Sequence, residues 1–150
     1  MVKSCEKNHV IMHAPNIVIS EEYKIDKQHR VVRYDMRFKK PYVDEIMYPA
    51  TMHSIQHMMK AAFAEVSKCT IVDFSLMGSR TGFNIVVIDP PDNFIDHDIK
   101  GALIVAFDMD KVPGESKKEC GNYTYHDIDD ARREILEFLD LFYGIRLILS

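Results

Sequence analysis

His53-Ser54-Ile55-Gln56-His57 sets two imidazoles four residues apart, and Cys120 adds a thiol much further along the chain. Residues i and i+4 of a helix lie on one face about a turn apart, so both rings can face a common point. Two imidazoles and a thiolate suit Zn²⁺ or Fe²⁺, and three protein ligands leave one exchangeable position, the pattern of a catalytic rather than a structural site. The histidine pair alone is a weak signal, because the same spacing occurs on ordinary helix surfaces, and Cys120 could equally be a small buried thiol. In the zinc-peptidase helix motif a glutamate follows the first histidine and acts as base. Here Ser54 follows His53 and Gln56 precedes His57, so peptidase chemistry is not expected.

The elements that must position these groups are legible in the patterning. Asn16 to Ile19 and Arg30 to Phe38 are β-branched or aromatic runs with partial alternation and read as strands. After a loop bracketed by Pro41 and Pro49, Thr51 reads as the N-cap of a helix reaching about Ser67, with Met52, Ile55, Met59, Ala62, Phe63 and Val66 at helical spacing. His53 and His57 flank that apolar stripe. Thr70 to Met77 and Phe83 to Ile88 read as strands joined by Gly78-Ser79-Arg80-Thr81-Gly82, whose terminal glycines permit unusual backbone angles or close approach of a ligand. Asp89-Pro90-Pro91-Asp92-Asn93 is a break. A second helix follows over about Phe94 to Asp110, then a loop ending at Cys120, then a third helix from about Asp127 carrying Ile128, Ala131, Ile135, Leu139 and Phe142. Strands without regular β-α alternation imply an α+β fold, a sheet with helices packed on it.

No linker or repeat divides the 150 residues, and a single domain over 1–150 is expected. Hydrophobic content of 47% with 28% charged residues is that of a globular chain, and the net charge of −4 argues against nucleic-acid or anionic-membrane partners. No apolar run approaches the roughly 18 residues of a membrane span. The opening residues lack the apolar core of a signal peptide, and Cys5, Cys69 and Cys120 read as thiols. A cytoplasmic protein is expected.

Taken together, Ser4…His9, Tyr34-Asp35-Met36-Arg37-Phe38, His53-Ser54-Ile55-Gln56-His57, Asp73 to Phe83 and Glu119-Cys120-Gly121-Asn122 resemble, in order and spacing, the S-ribosylhomocysteine lyase (LuxS) family of autoinducer-2 synthesis and quorum sensing. The resemblance covers nearly the whole chain. It implies a mainly antiparallel sheet with helices packed on it, the layer of LuxS and metallopeptidase-type folds, in a cytoplasmic bacterial homodimer with active sites at the subunit interface. It implies one divalent metal per subunit, Fe²⁺ or Zn²⁺, on His53, His57 and Cys120, with Ser4, His9, Arg37 and Asp73 in the substrate pocket. The family cleaves a small thioether sugar, S-ribosylhomocysteine, to homocysteine and 4,5-dihydroxy-2,3-pentanedione. Its metal polarises the sugar carbonyl while a glutamate and a cysteine shuttle protons.

Those two proton carriers correspond to Gln56 and Ser79, and both are changed. An amide has no protonation equilibrium near neutrality, and a serine hydroxyl ionises far less readily than a cysteine thiol. Three readings stay open: a binding or sensor relative without turnover, altered or slower catalysis with His9, Asp73 or Cys5 as substitute, and an engineered substrate-trapping variant. Other features carry less. Arg37 at a strand end could bind the sugar or carboxylate, or be an ordinary surface ion pair. Asp73, in an apolar strand, reads as a buried carboxylate needing a partner, either a hydroxylated sugar or Arg80. Met47, Met52, Met58, Met59 and Met77 read as core filling, Asp127-Ile128-Asp129-Asp130 as no more than an acidic helix start, and His97 and His126 receive no role.

Overall fold

A computed structural model describes residues 12–148; Ser4, Cys5 and His9 lie outside them. The chain forms two compact units, one from the described residues up to Met47 with Cys69–Asp92, the other from Tyr48–Lys68 with the described residues from Asn93 onward.

The first unit is an antiparallel sheet of four strands, β1 (Asn16–Lys24), β2 (Arg30–Arg37), β3 (Thr70–Leu76) and β4 (Gly82–Ile88), in the order β1-β2-β4-β3. Pairing sets Val32 opposite Val87, Tyr34 opposite Ile85 and Met36 opposite Phe83, with Phe74 next to Ile85 on the other side. Paired residues share a face, so these side chains form one apolar layer, and all of them are buried. Phe74 stacks on Phe83 with centroids 5.0 Å apart, and Phe38 meets Phe83 edge-on at 5.4 Å.

Alternation sends Arg33, Asp35 and Arg37 to the opposite face. Asp35 and Arg37 are nevertheless buried. They hold each other as a two-pronged pair, Arg37 Nε to Asp35 Oδ1 at 2.9 Å and Nη2 to Oδ2 at 3.1 Å. Arg37 is therefore a buried structural ion pair rather than a solvated strand end. Asp73 differs from expectation in the opposite sense. A bulge at Val72 shifts the register between Ile71 and Asp73, and Asp73 is exposed, so its carboxylate is solvated and needs no partner.

Between β3 and β4, Met77 N–H bonds Gly82 O and Arg80 N–H bonds Met77 O. The left-handed residue of this turn is Arg80, at φ 56°, and neither glycine has positive φ. Gly82 is demanded for a different reason: a Cβ there would stand 2.1 Å from Met36 O on β2. The close approach is by backbone, not by a ligand. Nothing lies within 4 Å of a Cβ built on Gly78.

The second unit is helical: α1 (Pro49–Val66), a π-helical turn (Ile95–Ile99) running directly into α2 (Lys100–Phe107), and α3 (Ile128–Tyr143). All three helices pack on one another, and Met52, Ile55, Met59, Phe63, Leu103, Ala106, Ile135 and Leu139 on them are fully or almost fully buried. The buried methionines bear out their reading as core. α1 starts earlier than the hydroxyl of Thr51 suggested. Pro49 fits the first helical position with φ preset, Tyr48 is the N-cap, and Thr51 lies inside the helix with its hydroxyl donated to Asp130 Oδ2 at 2.6 Å. α3 begins as expected: Asp127 caps it by accepting from Asp130 N–H at 3.0 Å. Its end is set by Gly144 at φ 70°. No described helix is long and apolar enough to cross a membrane.

Two stability outcomes follow from the sheet. Gly82→Ala should lower unfolding free energy by more than about 1 kcal/mol in urea titration, and Gly78→Ala should stay within about 0.5 kcal/mol of the parent. Equal effects would show that the Met36 contact does not set the requirement. Arg37→Met leaves the Asp35 carboxylate buried without its opposing charge, which costs about 3 kcal/mol in the same titration.

Candidate metal centre

α1 is a core helix on one side and a ligand helix on the other. Met52, Ile55 and Met59 lock it inward, and the helical period turns His53 and His57 to the half-buried flank of that stripe. Their rings meet edge-to-face with centroids 4.8 Å apart. Cys120 reaches them from the irregular segment between α2 and α3, where its N–H bonds Ser116 O and its side chain is buried. Cys120 Sγ stands 3.5 Å from His53 Nε2 and 3.7 Å from His57 Nε2. The expected pair and the expected thiol thus converge.

A third imidazole, assigned no role from the sequence, joins them. His126 Nε2 lies 3.9 Å from the same sulfur, its ring stacked on His53 with centroids 4.0 Å apart. One ligand atom from each of His53, His57, Cys120 and His126 falls within 4.8 Å of the others. A weak signal for His126 was present: it follows Cys120 by six residues and directly precedes the helix cap Asp127, so its backbone is anchored at an ordered helix start.

Hydrogen bonding fixes the tautomers. His53 Nδ1 meets Tyr125 O at 2.8 Å, and His57 Nδ1 meets Pro113 O at 2.9 Å. A carbonyl only accepts, so each Nδ1 carries a proton, which makes Nε2 the ligating nitrogen of the neutral ring. Metal-binding histidines are oriented in just this way by backbone carbonyls behind them. Gly114 at φ 67° shapes the turn at Pro113; a Cβ on it would sit 3.4 Å from His57 Nδ1. Burial first, and then His53 and His57, push His126 down to about 4, so at neutral pH its imidazole is uncharged.

A tetrahedral ion bound at about 2.3 Å to sulfur and about 2.0 Å to nitrogen sets sulfur–nitrogen edges of roughly 3.6 Å. The observed 3.5 and 3.7 Å to His53 and His57 match that requirement, and His126 stands further off at 3.9 Å. The donor set therefore fits a borderline-soft divalent ion such as Zn²⁺ or Fe²⁺.

The remaining candidate residues divide between the units. Gln56 sits on α1 beside His57, half-buried. In the sheet unit, Ser79 Oγ is 2.7 Å from Thr81 Oγ1, and Arg37 Nη1 donates to Thr81 Oγ1 at 2.6 Å. Ser79 and Thr81 line a cavity of about 510 Å³ with Pro41, Tyr42, Asp44 and Ile46. Asp35, which neutralises Arg37, was overlooked in the sequence although a two-residue spacing on a strand places both on one face.

Known proteins bear on this geometry. A family model described as S-Ribosylhomocysteinase (LuxS) matches residues 2–144. The chain is 33% identical over 141 residues to an S-ribosylhomocysteine lyase of Deinococcus radiodurans, covering 93% of this chain and 88% of that protein. It is 28% identical over 141 residues to an S-ribosylhomocysteine lyase of Helicobacter pylori strain Shi470, covering 93% and 89%. With the motif residues His53, His57 and Cys120 brought together, and a match over nearly the whole length, the chain belongs to the S-ribosylhomocysteinase (LuxS) family.

Proposed function

We propose that this chain is a metal-binding relative of S-ribosylhomocysteine lyase that keeps the metal and the substrate pocket and has lost most of the proton transfer. The carrying observation is the convergence of Cys120 Sγ on Nε2 of His53 and His57, each imidazole held in the ligating tautomer by a backbone carbonyl. When bound, a divalent ion there supplies Lewis-acid polarisation of a substrate oxygen.

The chain's own residues decide whether the reaction proceeds. Moving a carbonyl along the sugar needs a proton taken from one carbon and returned to its neighbour, and departure of the thioether sulfur β to that carbonyl needs another. Gln56 keeps the size of glutamate and can donate or accept a hydrogen bond, but it neither takes nor releases a proton. Ser79 keeps the size of cysteine and lies against Thr81 Oγ1, with no imidazole or carboxylate among its hydrogen-bond partners in the described residues. Each lost acid or base typically contributes about 10²–10⁴-fold. Binding depends on shape and polarity that both replacements conserve.

In this reading Ser4, His9, Arg37 and Asp73 contact the thioether sugar. Asp73 is exposed and free to do so, whereas Arg37 already serves Asp35 and Thr81, which makes it a rigid, partly neutralised contact. A homodimer in the cytoplasm completes the reading. Support for the dimer is the outer strand β1, which exposes Val18, Ile19 and Tyr23.

Two measurements test it. Anaerobic, Fe²⁺-loaded protein should release homocysteine thiol from S-ribosylhomocysteine at least about 10²-fold more slowly than the Gln56→Glu/Ser79→Cys double variant. Equal rates would sink the impairment and require a substitute base. His57→Ala should abolish stoichiometric metal in elemental analysis; full retention would remove the metal from the proposal.

A further inference from the structure

We infer that Asp44 is the proton acceptor of the cavity that Ser79 lines, standing in for the thiol this chain lacks. The inference deepens the proposed function and rests on it.

The segment between β2 and α1 holds this carboxylate in place. Phe38 N–H and Lys39 N–H both donate to Thr81 O at 2.9 Å, and Met47 N–H donates to Arg80 O at 3.0 Å. Both ends of residues 38–47 are thus tied to the turn that carries Ser79, all within the sheet unit. Inside the segment, Val43 N–H and Asp44 N–H turn back on Lys40 O at 3.2 and 3.0 Å, and Lys40 N–H donates to Asp44 Oδ2 at 2.7 Å. One carboxylate oxygen therefore fixes the turn. The other, Oδ1, has no hydrogen-bond partner among the described residues and can meet a ligand. Tyr42, in the same turn, lies at φ 65°, a left-handed conformation that is uncommon for a bulky residue. Strain of this kind gathers at ligand sites, where the surroundings hold it.

The cavity of about 510 Å³ has the size of a small-molecule pocket. Pro41, Tyr42 and Ile46 give it an apolar wall, and Asp44, Ser79 and Thr81 a polar one. Asp44 is the only carboxylate among the described residues that line it, and Asp73 is not one of them. Ser79 Oγ meets only Thr81 Oγ1 at 2.7 Å and Arg37 Nη1 at 3.5 Å, and neither group takes a proton near neutrality. The step balances on Asp44 alone. It takes a proton from the sugar carbon beside the carbonyl as the C–H electron pair moves toward that carbonyl. It returns the proton to the former carbonyl carbon, while a hydroxyl proton passes from one oxygen to the other. The carbonyl has moved by one carbon, the carboxylate is regenerated, and no oxidant or reductant is needed.

Asp44→Asn tests this, because an amide oxygen still accepts from Lys40 N–H but takes no proton. Residual homocysteine release by the anaerobic, Fe²⁺-loaded protein should fall at least about 10²-fold in Asp44→Asn and recover in part in Asp44→Glu. That loss should shrink at least about tenfold in the Gln56→Glu/Ser79→Cys background, where the thiol carries the proton. Calorimetry on the metal-free protein should show S-ribosylhomocysteine bound less than about threefold more weakly by Asp44→Asn, which separates proton transfer from binding. An equal loss in both backgrounds would mark Asp44 as structural and overturn the inference. So would a wild-type protein that binds S-ribosylhomocysteine and releases no homocysteine, an outcome that leaves the proposed function standing. Absence of binding to the wild type would overturn both.

Discussion

The site depends on protons that backbone carbonyls hold in place. An isolated imidazole exchanges its proton between two nitrogens and presents a lone pair on either one. Tyr125 O and Pro113 O remove that freedom at His53 and His57 by accepting from Nδ1, so both lone pairs sit on Nε2 and face Cys120. Those carbonyls belong to the irregular segment between α2 and α3, a stretch with no regular secondary structure. Its positive-φ Gly114, the Ser116 to Cys120 turn and the Asp127 cap are therefore what convert two helix histidines into a donor set.

Packing supplies the other half of the constraint. On α1, Met52, Ile55 and Met59 are within 1% of full burial while His53 and His57 are half-buried, a division that the 3.6-residue period imposes. Rotating the helix to change the ligands would expose several methionine and isoleucine side chains, each worth about 1.5–3 kcal/mol. The core thus orients the ligands. α3 is registered to α1 by polar contacts as well, Thr51 to Asp130 and Ser54 to Asp127, which is why His126 arrives at the same sulfur.

Much of this was legible in the residues, for reasons that also explain what was missed. Strands β2 and β4 announced themselves by β-branched runs, and α1 by its apolar period, because local propensity and tertiary burial agree there. The His53 and His57 pair was readable because i, i+4 spacing is a geometric statement about one helix, whereas Cys120 joined it through the family resemblance. The start of α1 was misplaced because Thr51 is a good capping type, while the actual start rests on Pro49, and the hydroxyl serves a tertiary bond. Asp73 looked buried since its strand is apolar, but a bulge at Val72 is invisible to alternation. His126 escaped because a loop cysteine and a following histidine carry no period.

In the proposed reading Gln56 and Ser79 stand where the family's proton carriers would be, which bears unequally on holding a ligand and turning it over. Both keep a shape and polarity that binding can use, and the Arg37–Asp35–Thr81 network beside Ser79 is formed within the sheet unit. Proton transfer has no such latitude, since it needs a group whose two protonation states are both accessible near neutrality.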